Sequence, residues 1–304
     1  MAAPDAASAW RTSPVGIVGL GLIGGSIALD LRRLGVRVHG LVHRAATAQR
    51  ALARGLVDQV DTHSDVLAGC GLVVLALPLD RLLNPDPGLL EALPAAAVVT
   101  DVGSVKAPVL ARWQGLHPRF VASHPMAGTA EAGVDAGQMG LFEDRPWVAT
   151  PDGSTDPQAL AAVEALAGAL GARWLCCGAA AHDRAVALIS HLPVLVSAAL
   201  LQAADQASAA GGGGTEPGEL ASLVRALASS GFADTTRVGG GNPQLGTLMA
   251  RSNQAAVVAA LQAYNHSLAS LTQQVQQGNW GELEAALQQA QQLRPQFLAP
   301  PPLA

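Results

Sequence analysis

Residues 15–35 read VGIVGLGLIGGSIALDLRRLG. The run VGIVGL has the length and aliphatic character of a buried strand. LIGGSIALDLRRLG has helical spacing and stops at Gly35. Between them, Gly19-Leu20-Gly21-Leu22-Ile23-Gly24 fits G-x-G-x-x-G. Alone that pattern is weak, but between a strand and a helix it makes the turn that a dinucleotide pyrophosphate requires. Gly19 permits the tight turn, and Gly21 lets the backbone approach the phosphates. Gly24 lets the helix pack on the strand, and the helix N-terminus faces the ligand.

Outward from this turn, short apolar runs alternate with helical stretches. VRVHGLV, GLVVLALP, AAVVTDVGS and RFVASHP read as further strands, with RPWVAT and ARWLCC as later strands of the same sheet. Such alternation predicts a parallel sheet covered on both faces. After residue 178 the strands stop. AAHDRAVALISHLPVLVSAALLQAADQA, PGELASLVRALAS, RSNQAAVVAALQAYNHSLASLTQQVQQ and WGELEAALQQAQQL are helical patterns. AAGGGGTEPGE reads as a flexible connector, and SSGFADTTRVGGGNPQLG as a long polar segment between helices.

The expected fold is therefore an α/β Rossmann-type parallel-sheet domain over 14–178, followed by an all-α substrate and dimerisation domain over 179–296. Residues 1–13 are expected to be a disordered extension and 297–304 a proline-rich disordered tail.

Composition narrows the function classes. Half of the 304 residues are hydrophobic and only 3% aromatic, so the core is built from Ala, Leu and Val. A net charge of −5 without a basic cluster argues against nucleic acid or an anionic membrane surface as partner. Cys70, Cys176 and Cys177 form no CxxC pair and read as small core residues in a reducing compartment, with no metal site. The N-terminus lacks an apolar run of signal-peptide length. The most apolar stretch, AVALISHLPVLVSAALLQAA, contains His191 and Pro193 and reads as a buried core helix rather than a membrane span. The cytoplasm is the expected compartment. The helical part is rich in Ala and Leu and poor in charge, which predicts a homodimer that covers its apolar faces.

Residues 40–46 read GLVHRAA. An acid about 20 residues beyond the glycine turn would bind the ribose 2′-hydroxyl of NAD. Arg44 stands at that offset from Gly24. A guanidinium there would bind a 2′-phosphate through charge-assisted hydrogen bonds, each worth about 1.5–3 kcal/mol, which favours NADP. His43 beside it is open between stacking on adenine and facing solvent.

The other distinctive residues fall where strands end, and these loops converge on one crevice. Cofactor contacts are expected from Gly19, Gly21, Leu22, Ile23, Gly24, His43, Arg44, Leu77, Pro78, Asp101 and Ser104. Ser104 is a short hydroxyl at the crevice mouth. Lys106 is the only lysine in the chain, against 17 arginines, and its role is open. His124, between RFVAS and Pro125, is the candidate for proton transfer, since an imidazole titrates near neutrality. Arg237 is placed to meet a carboxylate. His191, within the apolar helix, reads by itself as a satisfied core histidine.

Together these residues carry a resemblance. GIVGLGLIGGSIALDL, TDVGSVK, SHPMAGT, ISHLPVLVSAAL and SSGFADTTRVGGGNPQLGTLM occur in the order seen in the prephenate/arogenate dehydrogenase family of tyrosine biosynthesis. ISHLPV and DTTRVGGGNP look most like the NADP-dependent arogenate dehydrogenases of cyanobacterial type. The resemblance implies an oxidative decarboxylation. Hydride leaves the ring carbon bearing the 4-hydroxyl for NADP, the ring carboxylate departs as carbon dioxide, and aromatisation drives the step. It also implies roles. His124 takes the hydroxyl proton, and Ser104 positions His124 and the nicotinamide. Arg237 clamps a substrate carboxylate, while His191 and Thr129 line the substrate pocket. The family dimerises through its helical domain.

Two positions depart from some prephenate-using relatives. Val194 replaces the second histidine of S-H-L-P-H, and Ala130 replaces a glutamate after Thr129, with Glu131 one residue later. The leading expectation is L-arogenate converted to L-tyrosine. The nearest alternative is prephenate giving 4-hydroxyphenylpyruvate, and a more distant one is another NADP-dependent hydroxyacid or imino-acid oxidoreductase. A dinucleotide-binding regulator without chemistry is disfavoured by the set of polar groups around the crevice.

Overall fold

The structure, a computed structural model, describes residues 10–129, 131–210 and 217–298. The chain forms two compact units that divide between Gln254 and Ala255. In the first, strands and helices alternate: β1 (Val15–Val18), α1 (Leu22–Arg33), β2 (Val38–Leu41), α2 (Ala45–Ala53), β3 (Gln59–Asp61), β4 (Leu72–Leu75), α3 (Leu79–Leu83), α4 (Pro87–Ala92), β5 (Val98–Asp101), α5 (Ala107–Trp113) and β6 (Phe120–Val121). These six strands form one sheet in the order β3-β2-β1-β4-β5-β6, every pair parallel.

Strands β1, β4 and β5 are buried along their whole length, as continuous Val/Leu/Ile runs require. Separate apolar clusters cover the two faces. One centres on Ile17, Ile27 and Leu31, the other on Val73, Leu82 and Trp113. The strand order reverses between β1 and β4, which opens a crevice beyond their carboxyl ends. This is the expected Rossmann-type arrangement.

One part of the sheet expectation is corrected. The run RFVASHP breaks at Ala122. Its second half, β7 (Ser123–Pro125), pairs antiparallel with β8 (Pro146–Ala149), and β8 pairs parallel with β9 (Arg173–Cys176). RPWVAT and ARWLCC thus belong to a separate three-stranded sheet. The break is fixed where Asp101 Oδ1 accepts the Ser123 N–H (3.1 Å) and the Thr100 and Ser123 hydroxyls meet at 2.8 Å. Helix α6 (Pro157–Ala169) links β8 to β9.

The helical part begins with α7 (Ala179–Val186), runs through a π-turn at Ala187–His191 and continues as α8 (Leu192–Ala210). Next come α9 (Pro217–Leu227), α10 (Ser230–Thr236) and α11 (Pro243–Ser252). Compactness groups α7 to α11 with the sheet, whereas the sequence reading divides the chain after residue 178. The reason is local, because Asp183 on α7 accepts the backbone N–H groups of Lys106 and Ala107 at the start of α5. The second unit consists of α12 (Gln254–Gln277) from Ala255 onward and α13 (Trp280–Leu298).

By length and composition, Ala179–Ala209 is able to cross a membrane, and 22% of its apolar window is buried in the single chain. The buried core helix expected there is thus largely open in one copy.

Three further expectations change. Trp10 to Thr12 form a 3-10 turn with Trp10 only 3% exposed, so the N-terminal extension is anchored from Trp10, and residues 1–9 lie outside the described residues. The polar segment around Arg237 is mostly helical. Asn242 caps α11 by accepting the Gln244 and Leu245 N–H groups, and Pro243 sits in the first turn, where its missing N–H costs nothing. The expected stop at the proline-rich end does not occur at Pro295, which lies inside α13 near its end. Its ring forfeits one helical hydrogen bond with a single turn still to run. Residues 299–304, and 211–216 of the glycine connector, lie outside the described residues.

Candidate active site

The glycine turn joins β1 to α1 at close quarters. Gly19 has φ +94°, and a Cβ on it would sit 2.4 Å from the Ala76 carbonyl oxygen. A Cβ on Gly24 would lie 2.0 Å from the Gly19 carbonyl oxygen and 2.9 Å from the Ala76 Cβ, so only glycine lets α1 pack this closely. Gly21, the N-cap of α1, is different: a Cβ there would meet nothing within 4 Å. A glycine facing open space at an uncapped helix N-terminus is a cradle with room for a pyrophosphate. Leu22 and Ile23 are half-buried beside it, and Leu77 (half-buried) and Pro78 (exposed) follow β4. Arg44 is the N-cap of α2, exposed like His43, and neither side chain has a partner among the described residues. Helix α1 also holds the segment beyond the His124 loop. Ser26 Oγ accepts the Gln138 N–H (3.0 Å), and the Asp30 carboxylate accepts the Gly140 N–H.

A second cluster forms where β5 and β7 end. Asp101 and Lys106 are both fully buried and ion-paired, and Lys106 Nζ also donates to the Ser123 carbonyl oxygen (2.7 Å). Asp101 further accepts the Gly103 N–H (2.8 Å) and the Ser123 N–H. The expectation that Asp101 contacts a cofactor is therefore corrected. Its carboxylate is consumed inside the protein, where it shapes the loop carrying Ser104. Lys106 likewise has a structural task, since burial lowers its pKa and the neighbouring carboxylate opposes that shift.

Side chains alternate along a strand, so with Ser123 turned inward onto Thr100 and Trp147, His124 faces the other way. There its Nδ1 lies 3.0 Å from His182 Nε2, and His182 Nδ1 lies 2.9 Å from Asp183 Oδ1. Burial, Lys106 and the neighbouring His182 and His191 hold the His124 pKa well below the usual value of 6.5. The imidazole is thus neutral at ordinary pH, the form that accepts a proton. Burial pushes the Asp183 pKa up, but hydrogen bonds from His182 and from the Lys106 and Ala107 N–H groups outweigh it and keep the carboxyl ionised.

His191 is buried at the end of the π-turn. Its Nδ1 is 3.4 Å from Asn253 Nδ2, and its Nε2 is buried without a hydrogen-bond partner among the described residues. In a regular helix, nine residues after His182 would lie about 180° round the axis. The extra residue of the π-turn reduces that to about 80°, which brings His191 toward the same side as His182.

The remaining expected residues sit apart from this cluster. Ser104 is half-buried and makes no hydrogen bond to His124, whose Nδ1 is taken by His182 instead. Thr129 is exposed, and its hydroxyl accepts the Glu131 N–H (3.2 Å). Ala130 lies outside the described residues. Arg237 is exposed at the start of a 3-10 turn, without an ion pair among the described residues. Sequence reasoning missed His182, Asp183 and Asn253. The signal for the first two was an adjacent His-Asp pair, AHDRA, at the head of an otherwise apolar helix.

A family model described as the nucleotide-binding domain of prephenate dehydrogenase matches residues 27–176, and one described as its dimerization domain matches residues 178–289. The chain belongs to the prephenate dehydrogenase family. It is 32% identical over 262 residues to the cyclohexadienyl dehydrogenase of Zymomonas mobilis, covering 84% of this chain and 85% of that protein. It is 31% identical over 240 residues to the prephenate dehydrogenase of Bacillus subtilis, covering 75% of this chain but 61% of that longer protein. Among solved structures, Synechocystis arogenate dehydrogenase is 41% identical with a TM-score of 0.75, covering 93% of this chain and 99% of that one. Prephenate dehydrogenase from A. aeolicus, solved with hydroxyphenyl propionate and NAD+, is 27% identical with a TM-score of 0.84, covering 93% and 98%. The chain is thus an enzyme of the prephenate/arogenate dehydrogenase family, with a nucleotide-binding domain and a small-molecule substrate.

Proposed function

We propose that this enzyme converts L-arogenate to L-tyrosine by oxidative decarboxylation with NADP. The observation that carries the reading is His124. It is a neutral, buried imidazole at a strand end, with Nδ1 engaged and Nε2 without a hydrogen-bond partner among the described residues. Nε2 takes the proton of the ring 4-hydroxyl as the ring carboxylate leaves as carbon dioxide. When bound along the glycine turn, the nicotinamide cofactor supplies the hydride acceptor. His191 Nε2, buried and unpartnered, is a hydrogen-bonding group for substrate. The Arg237 guanidinium, without an ion pair among the described residues, is available to a substrate carboxylate. Ser104, with no hydrogen bond of its own among the described residues, is available to the nicotinamide.

The choice of arogenate is supported by the 41% likeness to the Synechocystis enzyme and by Val194, which stands where some prephenate-using relatives carry a histidine. The Bacillus relative, named a prephenate dehydrogenase, favours prephenate as the second reading. The choice of NADP rests on Arg44 and on the lack of an acid at that position.

A homodimer and a cytoplasmic location belong to the same proposal. Leu200, Leu201, Leu223 and Leu227 are exposed on α8 and α9, beside a cleft of 780 Å³ lined in part by Val224 and Phe232. A second copy covers such a face, in keeping with the dimerization model matched there.

The test is kcat/KM for each substrate with each cofactor. The reading requires arogenate with NADP to exceed the other three pairings. Arg44→Asp should then cost about tenfold to a hundredfold in kcat/KM for NADP and little for NAD, given about 1.5–3 kcal/mol for a charged hydrogen bond. Faster turnover of prephenate would reverse the substrate choice, and equal effects on both cofactors would remove Arg44 from the site.

A further inference from the structure

We infer that His182 and Asp183 are positioning residues for His124, fixing which of its ring nitrogens carries the proton and sharing the charge once it is protonated. The inference rests on the reading of His124 as proton acceptor. It follows from the donor and acceptor rules along one buried chain of groups. The Asp183 carboxylate only accepts hydrogen bonds. Its Oδ1 takes the Lys106 N–H at 2.7 Å and its Oδ2 takes the Ala107 N–H at 2.9 Å, so both oxygens are pinned to the start of α5. Asn253 Nδ2 donates to the Asp183 carbonyl oxygen (2.7 Å), which fixes the backbone as well.

His182 Nδ1, 2.9 Å from that carboxylate, must carry a hydrogen, because two lone pairs at that distance repel. With that as its single ring hydrogen, His182 presents a bare lone pair at Nε2. The partner of this lone pair is His124 Nδ1 at 3.0 Å, which must in turn be the donor. The free lone pair of His124 is thereby assigned to Nε2, the nitrogen without a partner among the described residues. Without the carboxylate at its far end, the chain runs equally well in the opposite sense and leaves Nε2 protonated, a form that accepts nothing.

The same chain carries charge. When Nε2 of His124 takes the hydroxyl proton, the Nδ1 proton moves to His182 Nε2. His124 is left neutral as its Nε2–H tautomer, and the positive charge rests on His182 beside the ionised Asp183. No electrons move, and one proton enters for one shifted. This is the orienting logic of a carboxylate behind a catalytic imidazole, extended by one ring. The ring centroids are 5.2 Å apart at 72°, an edge-on arrangement that aims nitrogen at nitrogen.

The test compares Asp183→Asn, His182→Leu, His182→Gln and His124→Asn. Asp183→Asn removes the charge behind His182 and puts an NH2 in place of one of the two oxygens that receive the His182 and α5 N–H groups. It should lower kcat by about 10²–10⁴-fold with the KM for NADP unchanged. Glutamine at 182 accepts from His124 and donates to Asp183, so His182→Gln should retain more activity than His182→Leu. The double variant His124→Asn/Asp183→Asn should be no slower than His124→Asn alone, since both act through one group.

If His124→Asn stays active, the underlying reading of His124 fails. If His124→Asn is inactive while Asp183→Asn and His182→Leu turn over like the parent, the relay alone is overturned. A measurement on the unaltered protein decides the matter even if a variant does not fold. Ring 15N shifts should report His124 as the Nδ1–H tautomer, and the Nε2–H tautomer would overturn the inference.

Discussion

His124→Asn lowers kcat by about 10²–10⁴-fold, while the Kd for NADP stays at its parent value. The two parts separate because the functional groups come from different strand ends. The cofactor cradle is built by Gly19, Gly21 and Gly24 between β1 and α1, whereas His124 sits on β7 in the second sheet. Asparagine keeps a hydrogen-bonding side chain toward His182 but offers no basic nitrogen. The pH dependence follows from the shift at His124. Its pKa is depressed, so the neutral, active form persists as pH falls through 6.5 and is lost only below that value. The acid limb of kcat/KM, which reports the free enzyme, should have its midpoint under 6.5. A midpoint at or above 6.5, or a variant that binds NADP poorly, would contradict this assignment.

The largest expected stability effect is at Lys106. Lys106→Met leaves the Asp101 carboxylate buried with only the Gly103 and Ser123 N–H groups for partners. Removing one partner of a fully buried ion pair costs about 3–5 kcal/mol. In a chain of this size that corresponds to a fall in Tm of roughly 6–20 °C. Adding Asp101→Asn should recover part of the loss, because the unpaired charge is then gone. Both can be measured by thermal unfolding. A Tm near that of the parent would mean that water reaches Asp101 and that the pair does not hold β5 to β7.

Much of the fold can be read from local pattern because its causes are local. A parallel strand buried on both faces must be a continuous aliphatic run, and a turn around a pyrophosphate must be glycine. Sheet membership has no such local cause. PWVA and RWLC read as strands in either sheet, and what separates them is Asp101 capturing the N–H of Ser123, 22 residues away. The glycines around Arg237 suggested a loop, yet the Asn242-Pro243 pair carried a helix start that outweighed them.

The site shows the same division. The glycine turn, Arg44 and His124 stand out by offset and by strand-end position. Lys106 stood out only as a lone lysine, and its role needed the burial of Asp101. His182 and Asp183 lie 58 and 59 residues beyond His124, and no spacing rule joins them to it. A π-turn that redirects His191 has no sequence signature of its own.

The proposed reaction couples loss of the ring carboxylate to reduction of NADP in one active site. The most direct measurement is carbon dioxide and NADPH determined together, as the purified protein consumes arogenate. The account predicts that the two appear at the same rate and in equal amounts, and that both vanish together in His124→Asn. NADPH formed without carbon dioxide, as a hydroxyacid oxidoreductase would give, would contradict it.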